Sequence, residues 1–157
     1  MRGIFSVLVE NKDGVLSGIS GLFARRGFNI DSLAVGETEK RDVSSMTIVS
    51  TGDSRTIDQI EKQLNKNVDV IKVRRLEETR SVELEMMLIR VSCSPTSRSS
   101  LIELCSVMDA KIMHVNAKSM MIKLDADPGR ILEFIDLLRP YGILEIQRTG
   151  TIAMAKA

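Results

Sequence analysis

Side chains that could break or form bonds are few and scattered in this chain. His114 is the lone histidine, and it sits inside an apolar, strand-like segment with no cysteine or paired carboxylate near it in sequence. Cys93 and Cys105 lie in no CxxC or Cys/His cluster, and two thiols in 157 residues make no disulfide framework, so both read as small hydrophobes. No GxSxG, phosphate loop, HExxH or strand-following GxGxxG occurs, and Gly18-Ile19-Ser20-Gly21 lacks phosphate-loop spacing. No catalytic residue, metal ligand or cofactor of its own is therefore expected. Recognition chemistry is better represented. Asn11-Lys12-Asp13-Gly14 stands where a strand ends and a helix begins, so the first N–H groups of that helix, near Gly14, Val15 and Leu16, point outward. A helix N-terminus carries about half a positive charge and receives carboxylates. Asn11 adds an amide, and Asp13 can cap the helix or take an ammonium group. The set suits the two charged ends of a free amino acid, and it equally suits plain helix capping. Asn29 opens the next strand and can face the same turn from a neighbouring subunit.

Glycine bears on the same helix. Gly14, Gly18 and Gly21 recur on one face, and interior glycine costs a helix about 1 kcal/mol against alanine. Such a stripe implies close packing by the sheet, a second helix, a partner chain or a ligand.

The elements that must position these residues follow the hydrophobic pattern. Ile4–Val9 reads as a strand, and Val15, Leu16, Ile19, Leu22 and Phe23 recur at helical spacing up to Arg25-Arg26-Gly27. Phe28–Val35 and Met46–Val49 read as strands around a charged hairpin, Gly36 to Asp42. Asp53–Lys66 carries the stripe Ile57, Ile60, Leu64, and Val68–Val73 closes the set as a strand. After the charged joint Arg74–Arg80 the order returns: strand Val82–Val91, helix Pro95–Met108, strands Ile112–Ala117 and Met120–Leu124. A helix opened by Asp127-Pro128 and a last strand from Ile143 through Ile152 to Met154 complete it. Ser94 to Ser100 reads as a loop and helix cap. The expected fold is α+β, two ferredoxin-like βαββαβ sandwiches over 1–77 and 78–157. Seven of nine methionines follow Glu85, which fits core filling or an adaptable contact surface.

Composition removes other classes. With 43% hydrophobic and 27% charged residues the chain is globular, and 22 Lys+Arg against 21 Asp+Glu leave no field to draw nucleic acid or anionic lipid. The balance is even: twelve basic and eleven acidic residues up to Glu77, ten of each beyond. No apolar run nears the ~20 residues of a membrane span, so a cytoplasmic location is expected. An RNA-binding βαββαβ domain needs aromatics on its central strands, and Ser44 to Thr51 has none.

Several strings carry a family resemblance. Glu10 to Ser17 and Gly21 to Leu33, continued by Met46–Val49, Ile60–Leu64 and Val68–Val73, resemble the ACT domain of the acetolactate (acetohydroxyacid) synthase small subunit. Leu84–Val91 and Arg148-Thr149-Gly150 are similar to that family's second domain. The resemblance implies a non-catalytic regulatory subunit, a homodimer through the first half. Its partner would be a large catalytic subunit carrying thiamine diphosphate, Mg and FAD, which it activates and places under feedback inhibition by valine. It also implies an effector site at the ACT–ACT interface, contacted by Asn11 and Gly14 of one copy and Asn29 of the other; the reading of the turn adds Asp13, Val15 and Leu16, and Ile30 is the apolar neighbour expected beside Asn29. Gly18 and Ser45 depart from the family, which commonly carries Arg at both places; losing those cations bears on how the partner is held and how strongly valine inhibits. An ACT-type sensor serving a different biosynthetic enzyme or regulator is the alternative.

Overall fold

The computed structural model describes all 157 residues, which form two compact units: Met1–Glu83 with Thr151–Ala157, and Leu84–Gly150. The first unit runs β1 (Arg2–Glu10), α1 (Val15–Arg26), β2 (Ser32–Glu37), β3 (Val43–Thr51), α2 (Ser54–Lys66) and β4 (Val70–Leu76). Its antiparallel sheet has the order β2-β3-β1-β4. β1 is central, and its alternate residues Phe5, Val7 and Val9 bury themselves under the apolar stripes of both helices, Val15/Ile19/Phe23 and Ile57/Ile60/Leu64. Asp53 caps α2 by accepting the Thr56 N–H at 2.8 Å.

The second unit takes most of β5 (Ser81–Ser92), then α3 (Arg98–Val107), β6 (Lys111–Val115), β7 (Ser119–Ala126), α4 (Pro128–Leu138) and β8 (Ile143–Arg148), with sheet order β6-β7-β5-β8. Asp127 caps α4 through the Arg130 N–H, with Pro128 opening the helix. The two sheets match in detail. In each, pairing of the central with the last strand slips by one residue, between Leu8 and Val9 and between Arg90 and Val91. Counted from that bulge, Arg75 opposite Phe5 corresponds to Arg148 opposite Met87. Their partners differ. Arg75 reaches Asp58 on α2 at 2.8 Å, whereas Arg148 grips Glu85 with two bonds of 2.5 and 3.0 Å. Glu85 fills the place that is Gly3 in the first sheet, where an added Cβ would stand 2.9 Å from Ile57.

Five sequence expectations are corrected. The units do not divide as 1–77 and 78–157. Arg2 pairs with Glu78 at 3.0 Å and Glu83 at 2.7 Å, tying the joint to the first unit. The expected last strand is two: β8, and β9 (Ile152–Ala155), separated where Gly150 turns at φ 83°. Ala153 and Ala155 then cover Ile4, Val49 and Leu76 on the sheet face away from the helices, so the tail belongs to the first unit. Val68 is no strand residue: it stands 92% exposed in a turn that the Asn67 side chain closes on the Asp69 N–H, and β4 starts at Val70. β2 starts at Ser32 instead of Phe28, because the Phe28 N–H folds back to the Phe23 carbonyl and its ring meets Phe23 edge-on at 5.8 Å. α3 starts at Arg98, since the Ser94 carbonyl collects the Ser97 and Arg98 N–H groups in a turn of its own. The glycine stripe also differs from expectation. No neighbouring atom lies within 4 Å of where a Gly18 Cβ would stand, and Gly21 would meet only the end of Arg25, so nothing in the chain packs on it.

Candidate functional site

The turn after β1 is held from two sides. The Glu10 N–H donates to the Asp69 carbonyl at 3.0 Å, and Lys12 Nζ lies 3.0 Å from both Glu10 Oε2 and Asp69 Oδ1, which fastens the turn to the start of β4. Asp69 first and Glu10 second raise the Lys12 ammonium above its usual pKa. On the other side the Asn11 N–H donates to the Asp42 carbonyl at 2.8 Å. Its side-chain Nδ2 donates to the Arg41 carbonyl at 2.8 Å and Glu37 Oε1 at 3.2 Å. A carbonyl can only accept, so the Arg41 contact fixes which end of the Asn11 amide is nitrogen. Asn11 Oδ1 points elsewhere and receives no donor from the chain.

Gly14 follows with φ 85° and ψ −8°, and no heavy atom lies within 4 Å of a Cβ placed there. Its requirement is conformational: the left-handed region is open to glycine at little cost. Asp13 does not cap the helix, which corrects one of its two expected roles. α1 has no side-chain cap at all, unlike α2 and α4, and its first intrahelical bond is the Gly18 N–H to the Gly14 carbonyl at 2.9 Å. The preceding N–H groups are the ones a helix leaves without partners. Val15 is buried in the core and Leu16 is 46% exposed, so Leu16 supplies apolar surface beside those donors. A depression of about 310 Å³ lined by Glu10, Asn11, Lys12, Asp42, Val43 and Ile71 adjoins the turn.

Asn29 and Ile30 are elsewhere. The Asn29 carbonyl accepts from Ser50 Oγ, its amide donates to Asp31, and Ile30 is half-buried against the first core. They follow α1, whose 12 residues span about 18 Å. One chain therefore gathers Asn11, Asp13, Gly14, Val15 and Leu16 but not Asn29 and Ile30. Sequence reasoning missed Glu37, Arg41 and Asp42, whose only signal was a charged hairpin of unassigned purpose, and Asp69, which carried none. Both cysteines are buried and free, and burial pushes the Cys105 thiol up. No three metal-ligating side chains cluster, and no helix is long and apolar enough to cross a membrane.

Comparison with known proteins adds identity to this geometry. Residues 5–72 match the family model of the AHAS small subunit-like ACT domain, and residues 84–157 that of the small subunit of acetolactate synthase. A protein of Archaeoglobus fulgidus named a probable acetolactate synthase small subunit is 48% identical over 156 residues, 99% of this chain and 98% of its own. The acetolactate synthase small subunit of Mycolicibacterium smegmatis is 44% identical over 96% of this chain and 89% of its own. The crystal structure of the acetolactate synthase small subunit from Thermotoga maritima superposes with a TM-score of 0.91 at 38% identity, covering 100% of this chain and 98% of that one. Two ferredoxin-like units in this order, the first an ACT domain, place the chain in the acetolactate synthase small-subunit family.

Proposed function

We propose that this chain is the regulatory subunit of an acetolactate synthase, binding the large thiamine-diphosphate-dependent catalytic subunit, raising its activity and making it sensitive to valine. The effector lies where the Asn11–Leu16 turn of one copy meets Asn29 and Ile30 of a second copy. The observation that carries this reading is the pairing of an uncapped α1 N-terminus with an Asn11 whose amide nitrogen is already committed. The helix N–H groups suit the valine carboxylate, and the free Asn11 Oδ1 suits its ammonium. Because Asn29 stands a helix length from the turn, the site is complete only in a homodimer. Exposed sheet edges at β2 and β4 are the elements by which two such sheets can join. Relatives related along nearly their whole length favour this role over a sensor for another enzyme.

Gly14→Asp is the test, read as synthase activity of the reconstituted complex against valine concentration. The substitution sets a negative charge where the effector carboxylate should lie. Repulsion and lost hydrogen bonds amount to ~2 kcal/mol, about a thirtyfold rise in the inhibitory valine concentration. Asn29→His weakens inhibition from the other side, and both variants still activate the catalytic subunit. An inhibition curve unmoved by Gly14→Asp refutes the site.

A further inference from the structure

A cleft of about 430 Å³ opens in the first unit between the end of β4, the turn Glu78–Arg80 and the returning residues Ala155–Ala157. Its volume is that of a small-molecule site. Leu76 and Ala155 give it an apolar component, and Arg74, Arg80 and Lys156 line it with cations. These three are poorly matched by carboxylates. Arg74 donates to the Ala157 backbone oxygen at 2.7 Å, and Lys156 Nζ to the Thr79 carbonyl at 3.4 Å; neither is paired with a side-chain carboxylate. Arg80 has only Glu77, at 3.6 Å, and its side chain is 83% exposed. Arg75 also borders the cleft but is taken by Asp58. Three cations thus stand against one side-chain carboxylate, Glu77, and are held on two segments far apart in sequence.

We propose that this cleft binds a phosphate-bearing small molecule, with Arg80, Lys156 and Arg74 around the phosphate, and that occupancy fastens the β9 tail to the end of β4. Guanidinium groups take phosphate oxygens two at a time, and lysine adds a compact point charge. Lys156 belongs to the tail and Arg74 and Arg80 to the β4 side, so one anion bridges both. It reinforces the pairing of β9 with β5, which the Lys156 N–H bond to the Arg80 carbonyl at 2.8 Å extends. The site is separate from the turn proposed for valine and does not depend on it.

Pyrophosphate is the probe, titrated calorimetrically into the full chain at low ionic strength, with amide exchange of residues 151–157 followed by mass spectrometry. The wild type should show saturable binding with Kd below about 1 mM. Tail exchange should slow about threefold or more at saturation. The double variant Arg80→Gln/Lys156→Gln should bind about tenfold more weakly and show no slowing, while Arg26→Gln at the end of α1 behaves as wild type. Potassium chloride at equal ionic strength reproducing the effect, or a double variant binding as wild type, overturns the proposal. So does an acidic peptide that competes as well as pyrophosphate, because the cleft would then be a protein contact.

Discussion

Breaking the Arg148–Glu85 pair should destabilise the second unit selectively. The Glu85 side chain is 2% exposed and faces the helices from β5, where its two oxygens are held at 2.5 and 3.0 Å by one guanidinium. Arg148→Ala leaves a buried carboxylate without its partner. Removing one member of a fully buried pair costs about 3–5 kcal/mol. Arg148 is itself 38% exposed, so water can enter from its side, which lowers the cost to ~2–3 kcal/mol. For a unit of this size that is a fall of about 10–20 °C in Tm. Replacing both residues by methionine removes charge and desolvation together and should come within ~1 kcal/mol of wild type. The assay is available in the sequence: Tyr141 is the one tyrosine, there is no tryptophan, and Tyr141 packs against the second core. Urea melts followed by its fluorescence therefore report on that unit. A cost below ~1 kcal/mol for Arg148→Ala, or a double variant less stable than the single, refutes the buried-pair account.

A chain ended after Gly150 bares Ile4, Val49 and Leu76, which should cost the first unit about 2–4 kcal/mol. Amide exchange within β1 and β3 should rise while the Tyr141 melt stays in place, and a fragment 1–77 should share the defect. Cys105, buried and with its thiol raised, should react with a thiol reagent at least ~10 times more slowly in the native protein than in urea. The Thr56 N–H holds the Asp53 carboxyl below its ordinary value near 3.8. A depressed pKa means that the cap's contribution is present above that value and is lost as pH falls through the folded one. Asp53→Asn should flatten this acid dependence of stability, and an unchanged acid limb would refute it.

What was legible in the sequence was what is local. The stripes Ile57/Ile60/Leu64 and Ile131/Phe134/Ile135/Leu138 announce helices because period 3.6 is a property of a dozen neighbouring residues, and all seven are buried as expected. Asp127-Pro128 announces its own cap for the same reason. Val68 misled because apolar character says nothing of a turn, and Asn67 closes that turn with a side chain the pattern ignores. Ile152 to Met154 was read as the end of one strand from Ile143 and placed with the second half, because what β9 covers lies some 75 to 150 residues earlier. The candidate site divides along the same line. Residue types around Asn11 and Gly14 pointed to carboxylate and ammonium recognition and equally to plain helix capping. They could not say which valences of Asn11 are spent, since Glu37, Arg41 and Asp42 reach it only when β2 and β3 pair beside β1. Strand register thereby turns an amide with donor and acceptor ends into a fixed acceptor. Asp13, which by sequence could cap the helix or take an ammonium group, makes no cap bond, because Gly14 in the left-handed region takes the N-cap place and α1 starts without a side-chain cap.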